Sequence, residues 1–266
     1  MGQTKKPRTS KSKKRTDQLA PDFRERLIEH ATAAAKQHGA QWLTPLCIVA
    51  ACGCRPVELE KGVVVRKGEK PGTLEFVIRG AKVNDRQRRG IPVRRVTVRT
   101  RRPDGTDQPW AAHLRELTRT EPVRFRLASP TSFSNKVREA SLSLWPRRKA
   151  QASPYSFRHA LAADMKTAGV EPVSVAKVLG HASTRSQEAY GWKKRRGSQA
   201  PEVSAETSAE PRQSSRLDRY KIATKVRKAA MSVPDRSAFA SKLGPVAQTP
   251  AASPSGPRSA RRPGRP

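Results

Sequence analysis

The chain has 266 residues and carries 55 Lys and Arg against 22 Asp and Glu, a formal net charge of +33. That excess attracts polyanions at long range, so nucleic acid is the expected partner. With 35% hydrophobic and 5% aromatic residues, and with 22 Pro and 16 Gly, the composition excludes one packed core over the full length; a medium-sized domain with polar tails is expected.

Residues 1–20 hold seven Lys or Arg and one Asp and lack apolar periodicity, which reads as a flexible basic arm. No apolar run follows it, as a secretory signal requires. Lys5, Lys6, Lys13, Lys14 and Arg15 are placed to follow phosphates and release counterions, with a plain targeting or solubility tail as the alternative. Residues 21–192 carry nearly all the periodic signal. Pro21 to Gln37 reads as a helix, with Asp22 near its cap and Leu27, Ile28, Ala31 and Ala35 on one face. Gln41 to Ala51 is a more apolar, buried helix. The apolar stretch Leu43 to Cys54 is far shorter than the ~20 residues a membrane helix needs, so no membrane partner is expected. Cys47, Cys52 and Cys54 crowd into that stretch, which fits reduced, buried thiols in a cytoplasmic protein (nucleoid-associated in a bacterium). A zinc site would need more ligands, so no metal and no cofactor are expected.

Gly53 ends the apolar helix, and Arg55 to Leu59 opens a short one with Pro56 in its first turn. Gly62 to Arg66, Leu74 to Ile78 and Ile91 to Val98 are β-branched runs, which predict a three-stranded antiparallel sheet. Helices follow at Trp110 to Leu117 and Thr131 to Leu144. Pro154 to Ala168 is a further helix, with Phe157, Leu161 and Met165 on one face and Gly169 closing it. Pro172 starts a helix that ends at Leu179-Gly180. Thr184 to Gln187 fits a capping box for a last helix carrying Tyr190. Residues 193–266 are basic and rich in Ser, Pro and Ala, which reads as a disordered tail; Lys193, Lys194, Arg195 and Arg196 are further phosphate candidates, and Arg216 to Met231 has the spacing of a short amphipathic helix. The fold class is α+β, mostly helical, with disordered basic tails.

Singly, Arg55, Lys82, Arg158, His181 and Tyr190 are ordinary: a solvated cation, a helix-end histidine, a packed tyrosine. Their order and spacing are not. Gly53, Arg55, Glu58 and Leu59 resemble the first arginine motif of the tyrosine recombinase (phage integrase) family. Ser153 to Tyr190 resembles its second signature, with Arg158-His159, then Leu179-Gly180-His181, then Tyr190 nine residues after that histidine. The resemblance covers roughly residues 22 to 192. It implies a catalytic domain that cuts and rejoins DNA through a covalent 3′-phosphotyrosine, without metal or ATP. Arg55 and Arg158 would grip the nonbridging oxygens with planar forks, and His181 would add a hydrogen bond. Tyr190 would be the nucleophile, and Lys82, between the second and third strands, would protonate the leaving oxygen. Glu58 and His159 would orient the arginines, and Arg86 and Arg88 would contact the backbone of the DNA.

The sequence departs from the family pattern twice. Tyr155 stands where the family usually has His, three residues before the second arginine, and a tyrosine is neither cation nor base near neutral pH. The family's N-terminal helical clamp also has no counterpart before residue 21, so the basic arm or an accessory protein would take its place, or the chain is a degraded or truncated relative. Two readings follow. One is a site-specific recombinase or integrase of a mobile element, working as a dimer or tetramer on double-stranded DNA. The other is a catalytically impaired DNA-binding relative that acts as a regulator or accessory factor in recombination. A type IB topoisomerase shares the chemistry but lacks the Leu-Gly-His signature, and a generic RNA-binding protein accounts for the charge but not for the constellation.

Overall fold

The structure is a computed structural model and describes residues 18–39, 41–81, 83, 90–189 and 202–214. Seven α-helices and one five-stranded sheet occur among them, in the order α1 (Phe23–His38), α2 (Leu43–Cys52), α3 (Pro56–Lys61), β1 (Val63–Lys67), β2 (Thr73–Arg79), β3 (Val93–Arg99), α4 (Ala111–Leu117), β4 (Val123–Phe125), α5 (Pro130–Leu144), α6 (Pro154–Thr167), α7 (Pro172–Leu179) and β5 (Val203–Thr207). The mixed helix and sheet class agrees with the sequence reading. Among the described residues, no helix is long and apolar enough to cross a membrane.

The helices form where the apolar spacing gives each a surface to bury. In α1, Phe23, Leu27, Ile28 and Ala31 make one buried stripe, and Arg24 pairs with buried Asp164 of α6 at 2.6 Å. The Asp22 side chain makes no capping bond. Helix α2 is apolar on all sides, and it packs against α1, α4, α6 and β3, so nine of its ten residues are buried. Phe23 meets Phe157 of α6 edge-on, with ring centroids 5.1 Å apart. Cys47, Cys52 and Cys54 are buried free thiols. Burial pushes the Cys47 thiol up to about 12, and burial with the neighbouring Cys52 also raises Cys54, so neither is a thiolate near neutrality.

The sheet corrects the expectation of three strands. Its order is β4-β1-β2-β3-β5, and every neighbouring pair is antiparallel. Strand β4 is three residues long and exists through its pairing with β1, from Val63 opposite Phe125 to Val65 opposite Val123. Strand β5 lies within 193–266, the stretch assigned to the disordered tail. Its residues pair with β3 from Arg94 opposite Thr207 to Val98 opposite Val203, and it packs against α7. Strand β4 is too short to be marked as a strand, and β5, although five residues long, lacks a run of β-branched residues; each takes its stability from a partner edge.

The alternation of side chains divides the sheet into two faces. One carries Val63, Val65, Leu74, Phe76, Ile78, Val96 and Val98 into the core. The other carries a cross-strand ion ladder: Glu75 meets Arg66 at 2.6 Å and Arg95 at 3.2 Å, and Arg95 lies 3.9 Å from Glu206 of β5. Arg94 shares the core face, opposite Ile78, although it is charged.

A second correction concerns the segment after His181. Thr184–Ala189 is a 3₁₀ helix rather than an α-helix opened by a capping box. The Thr184 hydroxyl accepts from the Ser214 N–H (2.9 Å), and the Thr184 N–H donates to the Arg212 carbonyl (3.0 Å). The Gln187 amide donates to the Pro172 carbonyl instead of reaching back to residue 184. Both halves of the box are thus committed elsewhere.

Candidate active site

The site is built on helix termini. Gly53 ends α2 in the left-handed region at φ 63°, and Gly180 does the same for α7. At α7 the His181 N–H returns to the Ala176 carbonyl (2.8 Å) and the Gly180 N–H to the Lys177 carbonyl (3.0 Å), a Schellman closure that fixes where His181 leaves the helix. The last carbonyls of such a helix lack intrahelical partners and concentrate negative charge. Two buried arginines satisfy them. Arg158 of α6 donates to the Leu179 carbonyl and, from Nη1, to the Gly53 carbonyl at 2.7 Å, and so joins the ends of α2 and α7. Arg94 of β3 donates from Nε to the Val178 carbonyl at 2.9 Å.

Arg158 Nη2 also lies 3.0 Å from His181 Nε2. Arginine has no acceptor, so Nε2 accepts and the imidazole carries its proton on Nδ1. The ring is accordingly neutral. Burial, then the charges of Arg158, Arg55 and Arg94, hold its pKa well below the ordinary histidine range.

Arg55 precedes α3, and Glu58 stands three residues on. An arginine side chain cannot accept the helix N–H groups, so only the carboxylate half of a capping box forms: Glu58 Oε2 accepts the Arg55 backbone N–H at 2.8 Å. Oε1 accepts from Arg55 Nη1 at 2.6 Å. Arg94 supplies two more bonds, Nη1 to Oε1 at 3.2 Å and Nη2 to Oε2 at 2.8 Å. Burial alone would push the Glu58 carboxyl up, but the Arg94 charge and hydrogen bonds, followed by the charges of Arg55 and Arg158, outweigh it and hold the group well below the usual carboxylate range.

The structure therefore brings Arg55, Glu58, Arg158 and His181 into one cluster, from positions more than 120 residues apart in the chain. Tyr155 and His159 lie on α6 to either side of Arg158, both half-buried. Lys82, Arg86, Arg88, Tyr190, Lys193, Lys194, Arg195 and Arg196 lie outside the described residues, as do Lys5, Lys6, Lys13, Lys14 and Arg15 of the arm and the segment Arg216 to Met231. Among the described residues, no group of three or more His, Cys, Asp or Glu is arranged to hold a metal ion. The cluster also contains Arg94, which the sequence reading missed. A signal was available: in Arg94-Arg95-Val96-Thr97-Val98 the period of two places Arg94 in phase with Val96 and Val98.

Chemically the cluster is a preorganised cationic seat. Three arginines face one carboxylate, and the histidine is neutral. Arg158 is wholly buried, whereas the Arg55 side chain is 13% exposed, so Arg55 forms the outward edge. Among the described residues the Arg55 guanidinium bonds only to Glu58, which leaves its other donors for an anion.

The titrations of His181 and Glu58 make stability fall on acidification. Both folded pKa values lie below the ordinary ones, so their contributions are present above 6.5 for His181 and above 4.5 for Glu58, and are lost as pH falls below those values. Burial gives His113 the same sign. Thermal unfolding followed from pH 8 to pH 3 is expected to show a first decline beginning near pH 6.5, at up to about 1.4 kcal/mol per pH unit per group, and a second below about pH 4.5. His181→Gln is expected to shrink the first decline; an unchanged decline would rule out His181 as its source.

Compared by sequence, the chain matches no protein-family model and no curated protein. Compared by structure, it is similar to the XerA recombinase, with 16% identity over 66% of this chain and 60% of that one, at a TM-score of 0.42. It is similar to the XerH site-specific recombinase in its post-cleavage complex with the palindromic difH substrate (16% identity, 65% of this chain, 48% of that one, TM-score 0.42). The pre-cleavage complex of XerH with difH gives 16% identity, 71% of this chain, 54% of that one and a TM-score of 0.44. The chain spans between 48% and 60% of the length of these recombinases.

Proposed function

We propose that the protein is a DNA strand transferase of site-specific recombination, which cuts and rejoins DNA through a covalent bond between Tyr190 and a 3′-phosphate. The observation that carries this reading is the cluster itself: Arg55, Arg158 and His181 converge at the ends of α2 and α7 around one buried carboxylate. An excess of fixed cations in a water-poor site suits a transition state whose phosphoryl oxygens gain negative charge. Arg55 would receive the phosphate, with Arg158 behind it adding field and holding His181. His181, held by Arg158, would add a hydrogen bond to a phosphate oxygen. Tyr190 would attack, Lys82 would protonate the 5′-oxygen that leaves, and the covalent link would conserve the energy needed for rejoining. Double-stranded DNA is the substrate, and a dimer or tetramer on it the working form. Lys5, Lys6, Lys13, Lys14, Arg15, Arg86, Arg88 and Lys193 to Arg196 would hold the phosphate backbone.

The second reading, a DNA-binding relative without strand transfer, is favoured by two observations. Tyr155 occupies the position of the family's histidine, and Arg158 is wholly buried and committed to two helix ends. A nicked suicide substrate, drawn from a randomised pool where the site is unknown, separates the two. The wild-type chain is expected to form an SDS-resistant protein–DNA adduct, and Tyr190→Phe to bind DNA equally well with no adduct. DNA binding without an adduct from the wild type would sink the catalytic reading; an adduct surviving in Tyr190→Phe would move the nucleophile elsewhere, Tyr155 first.

A further inference from the structure

We propose that Arg94 is the positioning residue of this site: it ties the Glu58 carboxylate at the start of α3 to the Val178 carbonyl at the end of α7, and so holds Arg55 and His181 in one rigid frame. The role in catalysis rests on the strand-transfer reading; the structural tie does not.

The geometry makes Arg94 hard to explain otherwise. It is wholly buried on a strand face whose other β3 members are Val96 and Val98. A guanidinium there gives up its hydration, and a third valine or a leucine would fill the same face without that penalty. What the arginine provides is saturation of Glu58. A carboxylate has about four lone-pair sites. Here Oε1 accepts from Arg55 Nη1 and Arg94 Nη1, and Oε2 from the Arg55 backbone N–H and Arg94 Nη2. With all four engaged, Glu58 has one orientation, and through it the Arg55 guanidinium has one.

The same side chain reaches the other half of the site. Its Nε bonds to Val178, three residues before His181. Gly180 makes that reach possible: a Cβ built there would stand 2.6 Å from Arg94 Nη1 and 3.1 Å from its Cζ. The glycine between Leu179 and His181 thus has two jobs, the left-handed turn and the space for a guanidinium.

Glu58 faces Arg55 from its own turn, Arg94 from β3, Arg158 from α6, His181 after α7 and the Cys54 thiol beside it. Burial opposes its ionisation, and the first force against burial is Arg94. Removing Arg94 therefore lets the carboxyl titrate higher, and a protonated Glu58 no longer anchors Arg55.

The test uses the full chain as wild type, Arg94→Met and Arg94→Lys, with two readouts. Glutamate side-chain carboxyls are labelled with ¹³C, the Glu58 signal is assigned with Glu58→Gln, and its titration is followed by NMR. Adduct formation on the nicked substrate is timed as a function of pH. In wild type, Glu58 is expected to titrate below the ordinary carboxylate range. In Arg94→Met it is expected to titrate within or above the ordinary carboxylate range, with adduct formation slowed about 100-fold near neutrality and an acid limb in its pH profile. Arg94→Lys keeps the charge but not the fork. It is expected to keep the low Glu58 titration while remaining slower than wild type, and it decides the matter where Arg94→Met does not fold. In folded Arg94→Met, a Glu58 titration as low as in wild type would overturn the tie; in Arg94→Lys, adduct formation as fast as in wild type would overturn the positioning role, because an arginine that merely fills space would move neither readout. A wild type that forms no adduct sinks the catalytic reading, and the NMR titration then decides the tie by itself.

Discussion

Arg158→Ala is expected to lower stability by about 3–5 kcal/mol and to abolish adduct formation. The side chain is wholly buried and donates to the Gly53 carbonyl, the Leu179 carbonyl and His181 Nε2. Alanine leaves all three buried acceptors without this donor, and a buried group without a partner costs about 1–3 kcal/mol. The losses do not add, because the relaxed site recovers part of them. At about 2–4 °C per kcal/mol for a domain of this size, the melting temperature should fall by roughly 10 °C. Arg158→Lys restores the charge but not the planar fork, so it is expected to recover less than half of the loss and none of the adduct. Circular dichroism melts of the three proteins check this; a shift of under about 2 °C for Arg158→Ala would mean that Arg158 does not join α2 to α7 as described.

Glu58→Ala is expected to be as damaging, for the opposite reason. It removes the one carboxylate among Arg55, Arg94 and Arg158 and strands wholly buried Arg94 without a counter-charge. Breaking a buried pair on one side costs about 3–5 kcal/mol. It also removes the acceptor for the Arg55 backbone N–H at the start of α3. The paired substitution Glu58→Leu with Arg94→Met is expected to regain most of that stability, since an apolar pair of similar volume removes both desolvation penalties. It is not expected to regain strand transfer, because Arg55 then lacks its anchor. Urea denaturation measures the first expectation and the suicide substrate the second. A double variant no more stable than Glu58→Ala would show that the ion pair has a packing role that apolar groups cannot replace.

The two substitutions differ in how far the sequence foretells them. Arg158 and His181 are legible in it, because each sits at a local signal. Ser153-Pro154 and the spacing of Phe157, Leu161 and Met165 announce α6, and Pro172 with Leu179-Gly180 announces α7. The partner of Glu58 is not legible in the same way. Arg94 lies 36 residues downstream on a strand, in a stretch with arginines at 94, 95 and 99. Its phase with Val96 and Val98 points inward, but nothing in the order of residues says which acidic group awaits it.

Local chemistry is carried by neighbours in the chain, and that much the amino-acid order determined: the charge, the helix ends, the left-handed glycines at 53 and 180, and the candidate set of Arg55, Arg158, His181 and Tyr190. The tertiary structure alone decided the rest. Strand β4, with three residues, and strand β5, inside a stretch of tail-like composition, have no stability until an exposed edge pairs with them. The Thr184 capping pattern gave way to bonds with Arg212 and Ser214, which are close only in space. Arg94 can be buried only where Glu58, the end of α7 and the missing Cβ of Gly180 coincide. Such positions depend on burial and on partners distant in the chain, and a charge is stable in the core only once the fold has brought its counter-charge to it.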